Sequence, residues 1–294
     1  MKENSKGKMY EIVPGDYPRR LQQVGNLPRR LYCIGRLPED GRPSLAIVGA
    51  RMCSPYGRNV AYEFARILGG MGIQIISGMA LGVDGAAHQG ALAAGADTFA
   101  VLGSGADVCY PGSHRKLYET LKERGGIVSE FGPGEKPLAW HFPRRNRLIS
   151  ALADAVLVVE ARERSGSLIT ADCALEQGRT VLAVPGRAGD VLSEGTNRLI
   201  SQGAAIAWRP EAVLEEMGWT VSKREKTEFD GEIPGLGLAS EDNLVYSCLG
   251  LDPKTVGQLQ EETGLNTGSL MSALLHLELA GKAKEIWKNS YIRV

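Results

Sequence analysis

What this 294-residue chain lacks narrows its possibilities first. No stretch approaches about 18 consecutive apolar residues, the length a membrane helix needs, so no membrane span is expected. The five cysteines (Cys33, Cys53, Cys109, Cys173 and Cys248) are odd in number, far apart and never in CxxC spacing. Neither a disulfide framework nor a zinc site fits that pattern. Reduced core thiols are expected, with no metal and no cofactor. Lys plus Arg and Asp plus Glu both number 34, giving a formal net charge of zero. A generally basic, adhesive protein is excluded, and any nucleic-acid contact must come from a local cluster. The start, MKENSKGKMYE, is polar with no apolar run behind it, so it does not read as a signal peptide and a cytoplasmic protein is expected. There is no internal repeat and no low-complexity tract.

What is present is a regular alternation. Apolar residues make up 43% of the chain, enough for a real core, and 37 glycines suit an α/β fold with many tight turns. Short apolar runs recur at 45–48, 73–77, 98–102, 126–130, 155–159, 181–184 and 205–208. Helix-period segments separate them, at about 55–69, 84–95, 113–125, 144–153, 167–178, 196–203 and 210–218. Continuous apolar strands alternating with helices predict a mostly parallel sheet covered on both faces. With right-handed crossovers this is an α/β fold, an extended Rossmann-like doubly wound sheet. Ser54-Pro55, Asp84 and Pro210-Glu211 mark helix starts. Residues 1–43, with prolines at 14, 18, 28 and 38 in the first 40, read as an arm leading into a domain over 44–219. Residues 220–239 read as a linker. Three helices and an alternating tail over 240–294 predict a small C-terminal winged-helix domain.

Ligands of an open parallel sheet collect at the carboxyl ends of its strands. Six of the turns following the strands are rich in Gly, Ser or Arg: GARMCSPYG, SGMALGVDG, GSGADVCYPG, FGPGEKPLAWHFPRRNR, EARERSGS and PGRAGDVLSEG. The stretch 141–186 is the most pointed of them. A basic turn (Arg144, Arg145, Arg147) opens a helix, a strand follows, and the loop ERSGS with Arg162 and Arg164 starts the next helix. Strand, Gly/Ser turn and helix hold an anion on backbone N–H groups. Phe142 beside the arginines can stack a base while the charges hold its backbone, which suits an unpaired strand better than a duplex. The bland readings run alongside. Gly103-Ser-Gly105 lacks the third glycine of a dinucleotide fingerprint, so NAD is not expected. Asp84 and His88 read as a helix cap and a hydrogen-bonded histidine rather than an acid/base pair. Glu160, at a strand end, is expected to orient Arg147 or a backbone N–H.

VGARMCSPYG, SGMALGVDGAAHQGAL, VLGSGADVCYPG, FPRRNRLISAL, VVEARERSGSLITADCALEQGRTVLAVPG and SEGTNRLISQGA together resemble, in order, motifs of the DNA-processing protein A (DprA/Smf) family. The resemblance covers about residues 10–215, and the tail is similar to the winged helix that many members carry. It implies a non-catalytic single-stranded DNA-binding protein that dimerises, loads RecA recombinase on incoming strands in natural transformation, and helps displace single-strand-binding protein. Carried over position by position, the family's phosphate-binding arginine falls on Arg51. Its basic and aromatic pocket falls on Phe142, Asn146 and Arg147, and its SGS loop on Ser165, Gly166 and Ser167. With Ser54, Gly78 and Arg144 these form the candidate DNA- and phosphate-binding set, with no catalytic residue. Two departures stand out. The helical SAM-like domain with which many members begin is at most a stub here, and Lys136 stands near the position where some members have a pocket lysine. The dimer surface is expected around Leu168–Ala183.

Two other readings compete. A nucleoside-monophosphate phosphoribohydrolase-like enzyme shares a related core, but its PGGxGTxxE turn is replaced here by SGSLITADCALE, with Glu176 far down the helix. A duplex-DNA-binding regulator would use the winged helix, but the third helix, SLMSALLHLELAG, has no Arg or Lys before Lys282.

Overall fold

In a computed structural model, residues 7–220, 240–250 and 252–293 are described. The chain's contacts divide it into two units, residues 1–224 and 225–294. Most of the expected linker, 221–239, lies outside the described residues.

The first unit runs β1 (Met9–Ile12), α1 (Arg19–Gln22), β2 (Leu31–Gly35), β3 (Ser44–Val48), α2 (Pro55–Gly70), β4 (Gln74–Ser77), α3 (Val83–Ala93), β5 (Thr98–Val101) and α4 (Arg115–Arg124). It continues with β6 (Gly126–Ser129), α5 (His141–Ala151), β7 (Ala155–Val158), α6 (Gly166–Glu176), β8 (Thr180–Ala183), α7 (Glu194–Ser201), β9 (Ala205–Ile206) and α8 (Pro210–Met217). The strands form one sheet in the order β1-β2-β6-β5-β4-β3-β7-β8-β9. From β6 to β9 every pair is parallel. Period-two alternation assigns the central strand's side chains to two cores. Ala46 and Val48 pack with α5 and α6, through Leu148, Ile149, Ala171 and Ala174. Leu45 and Ile47 pack with α2 and α3, through Phe64, Leu68, Val83 and Ala87. Both faces are covered, which is why all five residues of β3 are buried and apolar but for Ser44. The two helices of the second core lie close because Gly90 has no Cβ; one would stand 2.0 Å from the Tyr62 carbonyl oxygen.

The segment expected to be a lead-in arm is woven into this sheet. β1 pairs antiparallel with β2, and β2 antiparallel with β6. Leu21, Leu31 and Cys33 are fully buried, and burial pushes the Cys33 thiol up to about 12. Strands of four and five residues, parted by prolines, are too short to show a period against their surroundings. The segment is anchored from a distance: Arg20 Nε lies 2.6 Å from Asp154 Oδ1, and Asp154 Oδ2 takes the Ser44 N–H at 2.8 Å. The five cysteines are free.

Two helix starts of this first unit differ from expectation. The N-cap of α3 is Gly82, and Asp84 sits inside the first turn, where its Oδ2 accepts N–H groups of Gly78 and Ala80. Helix α5 opens at His141, three residues before the expected start at 144. Pro143 conceals that turn in the sequence, yet a proline there removes only an N–H that has no intrahelical partner anyway.

The second unit contains α9 (Ser240–Cys248), β10 (Lys254–Thr255), α10 (Val256–Thr263), α11 (Thr267–Leu279), β11 (Ala283–Trp287) and β12 (Ser290–Arg293). Its small antiparallel sheet has the order β10-β12-β11, and Val245, Leu259, Leu270, Leu274, Leu277 and Tyr291 form its core. Three helices with a terminal hairpin make the winged helix the sequence predicts. Helix α10 begins later than the expected Asp252-Pro253, because Thr255 and Gln258 form a reciprocal capping box and the preceding residues pair with β12.

His88 supplies a test of the core. Thr98 Oγ1 donates to the Ile75 carbonyl, so it accepts from His88 Nδ1, 2.6 Å away; Nε2 is buried without a partner among the described residues. Burial, with help from His114 and Arg145, lowers the imidazole from 6.5 to about 3. Between those values the unfolded chain binds one more proton, so this contribution is intact above pH 6.5 and lost as pH falls. The slope is about 1.4 kcal/mol per pH unit. Urea unfolding at pH 7 and pH 5 checks this: wild type should lose stability on acidification relative to His88→Gln. Parallel losses would show that His88 is not the group responsible.

Candidate nucleic-acid interface

The sheet order contains one reversal. From β3 the chain builds outward through β4, β5 and β6, then returns to lay β7 on the other side of β3. At such a switch point adjacent loops part in opposite directions and leave a crevice beyond the strand ends. A cavity of about 810 Å³ opens there. The loop after β3 gives it Arg51 and Met52, the β4–α3 loop Ala80, the first turn of α3 Asp84, and the loop after β5 Tyr110. Helix α5 contributes Phe142, Arg145, Asn146 and Ile149, the β7–α6 loop contributes Arg162, Arg164 and Ser165, and the start of α6 contributes Gly166 and Ser167.

Helical register decides which residues of FPRRNR reach it. Phe142, Arg145, Asn146 and Ile149 follow the i, i+3, i+4, i+7 spacing of one face. Arg144 and Arg147 project elsewhere. Both meet Glu130 Oε2, at 3.1 Å and 2.6 Å, and Arg147 Nη1 also donates to the Asn26 carbonyl at 2.9 Å. Neither lines the cavity, contrary to expectation. Ser54 is likewise committed to the fold. As N-cap of α2 its hydroxyl accepts the Gly57 N–H at 3.0 Å and donates to Glu160. Glu160 also takes the Ser54 N–H at 2.8 Å, so of its two expected partners it holds the backbone N–H and not Arg147. Gly78 lines a smaller adjoining cleft and leaves room for Arg145; a Cβ there would stand 2.1 Å from Arg145 Nη1. Lys136 is exposed and is not among the cavity residues.

Within the cavity the expected partners do converge. Asn146 Nδ2 donates to the Gly166 carbonyl at 3.0 Å, tying α5 to the SGS loop. Ser165 is the N-cap of α6, its hydroxyl 2.8 Å from Ser167 Oγ. Of the first N–H groups of α6, that of Ser167 donates to the Ser165 hydroxyl at 3.4 Å and that of Leu168 to the Ser165 carbonyl at 3.1 Å, and the helix start carries the positive end of its dipole. On the opposite wall the Arg51 guanidinium lies over the Phe142 ring, 4.7 Å from its centroid, and Tyr110 tilts against Phe142 at 5.7 Å. Arg145, 4% exposed, donates through Nη1 to the carbonyls of Gly78 (2.7 Å) and Val101. Desolvation lowers its guanidinium to about 10, while the charge of Asp84 opposes that shift. Burial in turn pushes the Asp84 carboxyl above its ordinary range, against the pull of Arg145.

Asp84 and Tyr110 were missing from the candidate set, and Arg145, Arg162 and Arg164 were noticed only as basic residues. Spacing from Phe142 singles out Arg145 once the helix start is known. Tyr110 carries no local signal and reaches the cavity only through the sheet order.

Fold and cavity define the class: a doubly wound α/β protein with its ligand crevice, here rimmed by arginines and a helix N-terminus, at the topological switch point. The chain belongs to the DNA recombination-mediator protein A (DprA/Smf) family, whose signature matches residues 8–218, and residues 234–285 match the DprA winged helix domain. It is 42% identical to protein Smf of Escherichia coli K12 over 242 residues, 81% of this chain and 64% of that protein's length. With DNA processing protein DprA of Streptococcus pneumoniae R6 it shares 41% identity over 217 residues, 73% of this chain and 76% of that one. The X-ray structure of S. pneumoniae DprA superposes with a TM-score of 0.67, over 73% of this chain and 76% of that one. A structure describing the single-stranded DNA binding mode of DNA processing protein A from Helicobacter pylori superposes with a TM-score of 0.64 at 28% identity, over 73% of this chain and 97% of that one.

The seat of Arg145 is testable through Gly78. Gly78→Ala places a methyl where Nη1 now lies and forces the guanidinium off its two carbonyls. Overpacking and two lost buried hydrogen bonds are expected to cost about 3 kcal/mol by urea denaturation. An unchanged midpoint would mean that Arg145 is not locked there.

Proposed function

We propose that this chain binds single-stranded DNA, without catalysis, in the cavity at the switch point. The observation that carries the reading is the convergence of three kinds of group on one hollow. Arg51, Arg162 and Arg164 are exposed cations at the mouth, the start of α6 offers the positive end of its dipole, and Phe142 and Tyr110 offer ring faces. Cations and a helix N-terminus suit sugar-phosphate, and ring faces suit bases that have no partner strand. The H. pylori relative, with its single-stranded DNA binding mode, supports the same reading. As in that family, the chain acts as a recombination mediator. It forms a homodimer, loads RecA on incoming strands during natural transformation and meets single-strand-binding protein there, in the cytoplasm. We place the dimer contact on α6, where Leu175 is exposed. Among the described residues no helix is long and apolar enough to cross a membrane.

The competing readings find less support. Glu176 closes α6, ten residues beyond Gly166 and so about 15 Å along the helix. A phosphoribohydrolase needs its glutamate beside the turn. The exposed face of α11 includes Met271, Leu275 and Leu279 and no Arg or Lys, a poor match to a duplex groove.

Fluorescence anisotropy with labelled oligo-dT and a duplex of equal length, at two salt concentrations, tests the proposal. The single strand should bind more tightly and weaken steeply with salt. Arg51→Ala and Arg162→Ala should each lose about tenfold in affinity, and Arg144→Ala, which removes an arginine outside the cavity, about twofold or less. Equal affinity for duplex, or loss confined to Arg144→Ala, would sink the assignment. Mediation is checked separately. Added to strands coated with single-strand-binding protein, the chain should shorten the lag before RecA hydrolyses ATP, and Arg51→Ala should not.

A further inference from the structure

The second unit carries a surface that its own packing does not use. Helix α11 turns once in 3.6 residues, which puts Leu270, Ala273, Leu274 and Leu277 on one side, buried in the core. Met271, Leu275 and Leu279 recur at every fourth residue on another side and are 38%, 55% and 79% exposed. They make an apolar stripe about 12 Å long, and Gly268 and Ser272, exposed on the same side, add no charge to it. Two contacts mark its borders. On one, Glu278 Oε1 accepts the Glu285 N–H at 2.8 Å, so β11 of the wing runs alongside. On the other, His276 Nδ1 stands 3.3 Å from Asp242 Oδ2, so α9 runs alongside. The borders differ in charge. The wing exposes Lys284 and Lys288, neither with a side-chain partner among the described residues, and Trp287, 58% exposed, next to Lys288. Glu285, the carboxylate of the same hairpin, is occupied by the Asn289 N–H at 2.6 Å. Helix α9 brings two carboxylates instead, Glu241 and Asp242, in its first turn.

We propose that the stripe and the wing dock an acidic amphipathic helix of a partner protein, with its apolar residues on Met271, Leu275 and Leu279 and its carboxylates turned to Lys284 and Lys288. These residues belong to the second unit alone, so the proposal stands independently of the single-strand reading. A contiguous apolar stripe on an exposed helix face marks a contact with another macromolecule. Apolar residues at successive turns are the anchors by which one amphipathic helix engages another. Charge complementarity chooses among the occupants. A nucleic-acid backbone satisfies the lysines but leaves three large apolar side chains in water. A second α11 covers the stripe, but its one carboxylate, Glu278, is already held by the Glu285 N–H, so it brings no free anion to the lysines. An acidic helix does both. Burial of the apolar anchors supplies affinity, while lysines on one border and carboxylates on the other fix which way round the helix lies.

Anisotropy with the full chain and a labelled synthetic helix tests this, the helix having leucines along one face, glutamates on one flank and no other charge. It should bind saturably, and more weakly as salt rises. Leu275→Ser should lower its affinity about tenfold and Lys284→Glu about fivefold. Both side chains are exposed, so both variants should keep the parent's thermal midpoint. A second helix with lysines in place of the glutamates should bind Lys284→Glu better than wild type. If wild type does not bind the acidic helix, or binds the two helices equally, the proposal is overturned. It is overturned as well if either variant holds the acidic helix as tightly as the parent. Loss of duplex DNA affinity in both variants, with no peptide bound, assigns the surface to nucleic acid. Sedimentation in which Leu275→Ser lowers the oligomeric state without peptide assigns it to a second copy. Either of these results also overturns the proposal.

Discussion

A buried guanidinium holds the crevice in shape. Arg145 reaches from α5 across the ends of β4 and β5 to the carbonyls of Gly78 and Val101, and it can do so only because Gly78 has no side chain. A charge so far from water is costly unless it is hydrogen-bonded and opposed by another charge. Two backbone carbonyls supply the first and Asp84 the second. Asp84 in turn gathers the N–H groups of the β4–α3 turn. Helix α5, two strand ends and one loop are thereby fixed relative to each other. Phe142 and Asn146, on the same helical face as Arg145, inherit their positions from that fixation. Preorganisation of this kind lets a ligand bind without first ordering the loops around it.

The same helix sorts its arginines into two populations. Arg144 and Arg147 are drawn to Glu130, whose side chain is 1% exposed, and so belong to the packing of α5 against β6 and the N-terminal segment. Arg145 faces the crevice, and the exposed cations of the mouth come from loops, at Arg51, Arg162 and Arg164. A count of basic residues in FPRRNR cannot separate these. A shift of one residue in register would exchange them.

The alternation of strands and helices was legible because every central strand is buried on both faces, and such strands read as short unbroken apolar runs. The crevice was legible for the same reason, since a doubly wound sheet gathers its loops at one edge. The antiparallel edge, β1 and β2, was not legible. It is short, interrupted by prolines, and given meaning only by partners far away in sequence, such as Asp154 for Arg20. The reading of which side chains line the crevice succeeded where one loop makes it, as at Ser165–Ser167, and at Arg51, Phe142 and Asn146 through family motifs. It failed where side chains had two calls upon them. Ser54 and Arg147 have the right chemistry for phosphate, but Glu160 and Glu130 had already engaged them. Asp84 looks like a helix cap by position, and only the three-dimensional turn shows that half of its carboxylate is left over.

Zero net charge shapes how such a crevice must work. With 34 cationic and 34 anionic residues the chain exerts little long-range pull on a polyanion. Attraction is then confined to about a Debye length, roughly 8–10 Å in ordinary salt, around the mouth. Within that distance three exposed arginines and a helix N-terminus act through a concave wall, where fields are focused and less screened than on open surface. On the proposed reading, a strand is engaged where it can enter the hollow and is ignored elsewhere. A duplex brings more phosphate charge but cannot place an unpaired base against Phe142 without first opening. Discrimination between the two forms, on that reading, follows from the depth of the crevice and not from the total charge.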